Sequence, residues 1–344
     1  MNNENNDRVL TIAEALREGI TEEMERDERV FCIGEDIGIP GGWGGAFTVT
    51  LGLEKLFPDR IINTPISEAA LFGGALGASM TGLIPIADVQ YGDFLFCAMD
   101  QIVSQISMMR YMSGGKLTTP IVMRAPVGAS NRGAQHAHSM EPWLISVPGI
   151  KIACPSNAYD AKGMLKSAVR DGNPVMLFEH KLLYGSKGAR AESGSVDASR
   201  YIPVEDYTVP LGKAAVEKTG SDVSVFSTLL MMHRALYAAN ELEQEGISAE
   251  VVDLRSLVPL DKETILNSIA KTGKALIIEE SPKTGGWGAE IAAVIAEEMA
   301  EYLMAPVKRV AAPDTPVPFA PVMENFYVPS IERIGREIKT MAEY

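Results

Sequence analysis

Short apolar runs alternate with helical segments along nearly the whole chain, and this alternation restricts the possible folds more than any other feature. Apolar runs of this length between Gly- and Pro-containing turns are typical of buried strands. Strands are predicted near 29–34, 85–90, 120–125, 150–154, 174–178, 223–227, 249–253, 275–279 and 307–310, with helices near 12–24, 68–80, 93–112, 140–146, 158–170, 229–244, 261–271 and 288–303. Such alternation predicts mostly parallel sheets with helices on both faces.

The chain is expected to fold as two α/β domains. Its 344 residues exceed what one ordinary hydrophobic core holds. The alternation lapses into Gly, Ser, Ala and charged residues between about 185 and 210. The sequence therefore predicts two doubly wound domains, the larger over residues 1–185 and the smaller over 211–344, joined by a linker over 186–210.

Charge and cysteine usage exclude several classes of function. A formal net charge of −14 argues against nucleic acid or an anionic membrane as a partner. The three cysteines show no paired spacing, which indicates a reducing compartment and argues against a disulfide framework or zinc site. The N-terminus is polar, and no apolar run is long enough to span a bilayer. A cytoplasmic protein is expected.

Two of the four histidines lie close together, in the Gly/Ala-rich stretch 133–139 that follows a predicted strand. A side chain that titrates near neutral pH at this place in an α/β protein is a candidate acid or base. Two other interpretations stay open for His136 and His138, an ordinary loop pair and a metal-binding H-x-H pair. His180 and His233 are interpreted as structural.

Glu68 is the main candidate among the carboxylates. Thr64 is a plausible N-cap with Pro65 at the first helical position, so Glu68 falls in the first turn of a helix. There it could simply interact with the helix dipole. Alternatively, an apolar setting that includes Ile66 and Phe72 could bury the carboxyl group, raise its pKa and let it share a proton with a ring nitrogen.

Tyr91 and the loop Gly38–Gly45 are weaker candidates for binding. Tyr91 closes a predicted strand and could face a cleft, whereas Phe94 and Phe96 are more typical of a core. The glycine-rich loop could hold a phosphate through its backbone N–H groups, but it lacks a complete phosphate-binding motif. A flexible surface or interface loop is the favoured interpretation.

Several stretches, taken together and in order, resemble the β subunit of the thiamine-diphosphate-dependent E1 component of 2-oxoacid dehydrogenase complexes, in the transketolase-like superfamily. They lie at 34–36, 44–53, 64–68, 99–102, 110–115, 133–136, 159–163, 252–261 and 326–330. Within that family the stretches 178–185 and 305–311 are most similar to the acetoin dehydrogenase β subunit. The pyruvate and branched-chain versions differ only in degree.

The resemblance implies a pyrimidine-binding domain followed by a transketolase C-terminal domain. Thiamine diphosphate would be shared with a separate E1 α subunit in an α2β2 assembly. The superfamily motif that holds Mg²⁺ and the diphosphate, Gly-Asp-Gly with a downstream Asn pair, does not occur in this chain. The resemblance therefore implies that the α subunit supplies the Mg²⁺ ligands.

The resemblance also implies roles for individual residues. Glu68 would hydrogen-bond N1′ of the aminopyrimidine, Tyr91 would pack against that ring, and His136 would assist acyl transfer to the lipoyl group of the acyltransferase E2. A structural potassium ion, held mostly by backbone carbonyls, would lie at the positions matching Ile121, Ala168, Val169, Asp171 and Asn173.

The chain departs from the family pattern in ways that bear on the substrate and the acceptor. The loop Gly38–Gly45 is longer than usual and contains Trp43, and Ala137 and His138 follow His136 where Ser-Gln is common. Ser146 replaces a family histidine, and Ile84 stands where the family has Arg. These departures leave the cofactor role intact. Two alternative functions stay open beside the E1 β subunit, the pyrimidine half of a split transketolase and a scaffold subunit without activity.

Overall fold

Two compact folding units make up the described chain. The computed structural model describes residues 8–187 and 191–344. The first unit contains the described residues up to Val127 together with Ser146–Leu211, and the second contains Gly128–Ile145 and Gly212–Tyr344. Residues 128–145 thus belong to the second unit, although strands of the first sheet precede and follow them in sequence.

Helices and strands alternate as the sequence predicts. The helices are α1 (Ile12–Arg26), α2 (Leu53–Leu56), α3 (Glu68–Met80), α4 (Met109–Met112), α5 (Glu141–Ile145), α6 (Ala158–Asp171), α7 (Leu229–Glu243), α8 (Lys262–Thr272), α9 (Gly288–Met299), α10 (Pro321–Tyr327) and α11 (Ile331–Glu343). The strands are β1 (Val9–Leu10), β2 (Val30–Glu35), β3 (Ile61–Thr64), β4 (Ile84–Asp88), β5 (Val122–Val127), β6 (Lys151–Ala153), β7 (Val175–His180), β8 (Arg200–Tyr201), β9 (Ala215–Lys218), β10 (Val223–Ser227), β11 (Ala249–Asp253), β12 (Ser256–Val258), β13 (Ala275–Pro282) and β14 (Lys308–Ala312). Within the described ranges, no helix combines the length and the apolarity needed to cross a bilayer.

The first unit is built on a parallel sheet. The strands that this unit contributes to the sheet lie in the order β6, β7, β5, β4, β2, β3, and every neighbouring pair among them is parallel. β2, β4, β5 and β7 are buried along their whole length, as expected for central strands covered on both faces. Helices α1, α3 and α6 pack on this sheet. The predicted fold class is confirmed for this unit.

The second unit contains a smaller sheet in the order β14, β13, β10, β11, β9. All pairs are parallel except that of β9 with β11, at one edge. Helices α7 and α11 pack on this sheet and against each other, and α8 packs against α9. The predicted strands and helices of this half are all present, which confirms a second α/β domain.

Three local expectations differ from the structure. Thr64 is not an N-cap, because it pairs with Glu35 as the last residue of β3, and Ser67 is the N-cap of α3 instead. The single helix expected over 93–112 is divided into a 3-10 segment (Gly92–Ala98), a π segment (Asp100–Ile106) and α4. Within the stretch expected to be a linker, β8 pairs antiparallel with β1.

Candidate functional site

Two acidic side chains stand close together where the first sheet meets α3. Glu35 is the last residue of β2 and is only 4% exposed, while Glu68 is the first residue of α3 and is half-buried. The sheet register places Glu35 beside Thr64, and the chain then turns through Ser67 into α3. The parallel pairing of β2 with β3 is therefore what brings the two carboxyl groups together.

The electrostatics of this pair favour a retained proton. Burial raises the pKa of Glu35 to about 7, the negative charge of Glu68 adds to the rise, and a hydrogen bond from the backbone N–H of Ser67 offsets part of it. The Oε1 atom of Glu35 is buried and accepts no hydrogen bond from any described residue. A carboxyl group that titrates near neutrality can give or take a proton at physiological pH.

Glu35 was missed as a functional residue by the sequence analysis, which counted it only within the stretch 34–36. The available signal was an acidic residue at the end of an entirely apolar strand. The neighbourhood of Glu68 also differs from expectation. Leu71 and Phe72 are buried, but Ile66 is 79% exposed. Within the described chain, Glu68 therefore lacks the complete apolar enclosure that the sequence suggested.

The raised pKa of Glu35 leads to a prediction about the stability of the folded chain. Its pKa is higher in the folded chain than its ordinary value near 4.5, so its contribution is fully present at low pH and is lost as the pH rises through about 7. The unfolding free energy of Glu35→Gln minus that of wild type is therefore expected to be about 2 kcal/mol larger at about pH 8.5 than at about pH 5. Urea unfolding at both pH values measures this. Parallel pH profiles for the two proteins would contradict it.

Tyr91 follows β4 and is held by aromatic and cationic neighbours. Its ring meets Phe47 edge-on at a centroid distance of 5.8 Å, and the ammonium of Lys181 lies 5.4 Å from the ring centroid. Phe47 in turn stacks on Tyr184 at 4.3 Å. Tyr91 itself is only half-buried. One part of its surface is thus fixed by packing while another part is accessible to a ligand.

A buried ion network supports the carboxyl ends of β4, β5 and β7. The Arg124 guanidinium donates to Asp88 Oδ2 at 2.6 Å and to both carboxylate oxygens of Glu179 at 2.6 and 2.8 Å. The Tyr184 hydroxyl donates to Glu179 at 2.5 Å. Burial raises the pKa of Asp88 to about 6 even though Arg124 opposes that rise. The network joins Tyr184, and through Phe47 the ring of Tyr91, to the centre of the sheet.

The histidine segment belongs to the second unit, whereas Glu68 and Tyr91 belong to the first. His136 ends a short 3-10 turn, Ala134–His136, and is half-buried. The start of the segment is fixed by two carboxylates of the second unit. Ala129 N–H donates to Glu280 at 2.6 Å, and Asn131 N–H donates to Glu324 at 2.8 and 3.0 Å.

The metal interpretation of the histidine pair gains no support from the structure. Among the described residues, neither His136 nor His138 belongs to a cluster of three side chains that could ligate a metal ion. A lone pair of histidines leaves half of a tetrahedral site to other ligands.

The positions carried over for potassium lie where α6 ends and β7 begins. Ile121 precedes β5, and its carbonyl accepts a hydrogen bond from Val175 N–H at 2.9 Å. The Asp171 carboxylate pairs with Lys151, and the side-chain amide oxygen (Oδ1) of Asn173 accepts from Arg110, so these two side chains have protein partners. Ala168 and Val169 are buried in the last turns of α6. Any ion here would depend on backbone carbonyls.

Comparison with known proteins agrees with this architecture. Residues 8–187 match the family model "Transketolase, pyrimidine binding domain", and residues 212–334 match "Transketolase, C-terminal domain". A solved structure titled "Split gene transketolase, inactive beta4 tetramer" superposes with a TM-score of 0.77 over 97% of this chain and 98% of that one, at 24% identity. At that identity the likeness concerns the fold alone.

Curated relatives are more similar and match over nearly their full length. The 2-oxoisovalerate dehydrogenase subunit beta of Bacillus subtilis (strain 168) is 43% identical, over 98% of this chain and 99% of the relative. The acetoin:2,6-dichlorophenolindophenol oxidoreductase subunit beta of Cupriavidus necator is 42% identical, over 95% and 96%. The pyruvate dehydrogenase E1 component subunit beta of Bacillus subtilis (strain 168) is 40% identical, over 97% and 99%.

Proposed function

This chain belongs to the transketolase-like family of thiamine-dependent E1 β subunits of the 2-oxoacid and acetoin dehydrogenases, and on that premise we propose that it forms half of such an active site. With an α subunit it cleaves the C–C bond next to a carbonyl group and passes the acyl unit to a lipoyl group. The observation that carries this proposal is the identity of 40% or more, over nearly the whole chain, with β subunits of three such enzymes.

The residues at the site fit thiamine diphosphate. An aminopyrimidine needs a carboxyl partner for its ring nitrogen and a flat apolar surface for its face. Glu68 offers the first from a half-buried position, and Tyr91 offers the second. When bound, the cofactor supplies a nucleophilic carbon and an electron sink. We assign Glu68 to hold the proton at N1′, with the buried Glu35, whose own pKa is raised, beside it.

Completion of the site is assigned to a separate α subunit in an α2β2 assembly. Exposed apolar side chains beside the site, such as Ile66 at 79%, are of the kind that a partner covers. The chain has no Gly-Asp-Gly motif, so the Mg²⁺ and diphosphate ligands are assigned to α. A potassium ion held by carbonyls around Ile121 and Asp171 belongs to the same proposal, as does a cytoplasmic location.

Of the alternatives, a split transketolase is disfavoured, because its solved representative shares only 24% identity with this chain. The first experiment is co-expression with the α partner and an assay with thiamine diphosphate, Mg²⁺ and an artificial electron acceptor. Acetoin, pyruvate and branched 2-oxoacids are each offered. Turnover of at least one is expected, whereas a complex that binds the cofactor and turns over none would overturn the proposal.

His136 is proposed to serve the transfer of the acyl unit to the lipoyl group of E2, by giving a proton to the dithiolane as it opens. His136→Gln is therefore expected to lower lipoyl-dependent NADH formation by about 10²-fold, in the usual range for loss of one acid–base group. Reduction of the artificial acceptor should change little. His138→Gln, two residues away, is the matched control and should leave both rates near wild type. Equal losses in both assays would contradict this role.

A further inference from the structure

A cavity of about 500 Å³ opens in the first unit at the carboxyl ends of β2 and β4. Tyr91 and Gln90 form one wall, and the glycine-rich loop with Ile39 and Trp43 forms the facing one. Tyr91 is also the residue assigned above to pack on the cofactor ring. The cavity therefore adjoins the place where the proposed reaction occurs, and what lines it bears on the substrate.

The loop is fastened on both sides of Trp43. Before it, Gly42 N–H donates to the Ile39 carbonyl at 2.8 Å in a tight turn, and after it Gly45 N–H donates to the Asp36 carbonyl at 3.1 Å. Ala46 N–H then donates to Gln90 Oε1 at 2.6 Å. These bonds hold the two ends of the turn against the first sheet, so Trp43 is presented from a defined backbone.

Trp43 is the only residue with a side chain between Gly41 and Gly45. At Gly45 the backbone has φ of +75°, and a Cβ there would lie 2.4 Å from Gln90 Nε2. That position favours glycine, since a side chain is strained at this φ and its Cβ would also displace the Gln90 amide. Trp43 therefore supplies the largest side chain of the loop-side wall, and its indole ring is 60% exposed.

The chemistry of the walls suits a short apolar substituent. The indole, the 46%-exposed Ile39 and the Tyr91 ring offer apolar contact to an alkyl group. The Asp36 carboxylate lines the same cavity and would repel a second carboxylate on the substrate. A monocarboxylic 2-oxo acid or an acyloin fits these walls, whereas a dicarboxylic 2-oxo acid does not.

We propose that Trp43 is a specificity-determining residue that limits the alkyl group on the substrate carbonyl to a short, unbranched one. This inference rests on the proposed function and narrows its substrate class to acetoin and pyruvate over branched 2-oxo acids. The indole lines the cavity on the loop side, where a branched chain on the substrate would meet it. Removal of the indole would open room for several methylene groups. A closed apolar pocket discriminates against a substrate with one extra methylene group by at least about tenfold.

The test uses the assembled heterotetramer with thiamine diphosphate, Mg²⁺ and the artificial acceptor. Wild type, Trp43→Phe and Trp43→Ala are compared by kcat/KM on pyruvate, acetoin and 4-methyl-2-oxopentanoate. Trp43→Ala is expected to raise the ratio of the branched substrate to pyruvate by about tenfold or more, and Trp43→Phe by a smaller factor. An unchanged or lowered ratio in Trp43→Ala would overturn the proposal.

Trp143→Ala is the matched control, because this residue is 57% exposed and lies on α5 in the second unit. Its ratio of kcat/KM on the branched substrate to kcat/KM on pyruvate should equal that of wild type. Tryptophan fluorescence gives a readout that does not need turnover. An acylphosphonate, which has no carboxylate to lose and so is not turned over, should quench the tryptophan fluorescence of wild type and Trp143→Ala but not that of Trp43→Phe. If no substrate is turned over, the proposed function fails, and the same quenching still decides whether Trp43 contacts the ligand: equal quenching in Trp43→Phe would overturn this inference.

Discussion

Glu68→Gln is expected to lower kcat of the assembled enzyme by about 10²- to 10⁴-fold, the usual range for loss of a positioned acid–base group. The amide keeps the size of the side chain but has no acidic proton to share with N1′ of the cofactor. Glu35 cannot replace it, because Glu35 is buried at the end of β2. The measurement is turnover with the artificial acceptor at saturating cofactor, together with cofactor affinity by titration.

A matched control separates this role from an ordinary helix-terminus effect. Glu54 is also a half-buried acidic residue in the first turn of a helix of the first unit, α2. Glu54→Gln should leave kcat within about twofold, since its only expected loss is a weak dipole interaction. If Glu68→Gln behaves in the same way, the carboxyl group has no catalytic role, and the scaffold alternative regains support.

Arg124→Met is expected to destabilise the fold by about 3–5 kcal/mol, the range for breaking a buried ion pair from one side. Arg124 is 1% exposed and is the cation that lies between Asp88 and Glu179. Its removal leaves two carboxylates close together in the core, where the apolar surroundings oppose their charge. Urea unfolding at about pH 8 gives the free-energy difference.

The pH dependence of that loss distinguishes buried charge from lost packing. In the variant, protonation of Asp88, whose pKa burial already raises to about 6, relieves part of the unpaired charge, so the deficit should shrink as the pH falls towards about 5. A deficit that stays constant with pH would point to packing instead. Arg29→Met is the control, because Arg29 pairs with Asp27 at the surface with 59% of its side chain exposed, and it should change little.

The two-domain fold was predictable because it depends on local pattern. Helix α7, expected over 229–244, spans Leu229–Glu243, and strands β10 and β11 have the predicted bounds. Buried strands and amphipathic helices can be recognised from the spacing of apolar residues, which the sequence shows directly. The family resemblance, drawn from motifs spread over the chain, is confirmed by the matches to both domain models.

What the sequence did not show depends on contacts between distant residues. Threonine is a residue type common at helix N-caps, but the pairing of Thr64 with Glu35 across the sheet keeps Thr64 in a strand. The apolar face over 93–112 indicates helix without indicating the type of turn. Glu35 became a candidate only when the register of β2 and β3 placed it beside Glu68. Its altered acidity depends on that juxtaposition and on burial, neither of which is a local property.

The attachment of the histidine segment determines how the protein can be divided. A fragment that ends at Leu211 contains His136 but not Glu280 or Glu324, which hold the start of its segment. The complementary fragment from Gly212 keeps both carboxylates, each now without the backbone donor it serves. Cutting the chain between its two family domains therefore does not yield two intact modules. Domain exchanges between related subunits should carry residues 128–145 together with the C-terminal half.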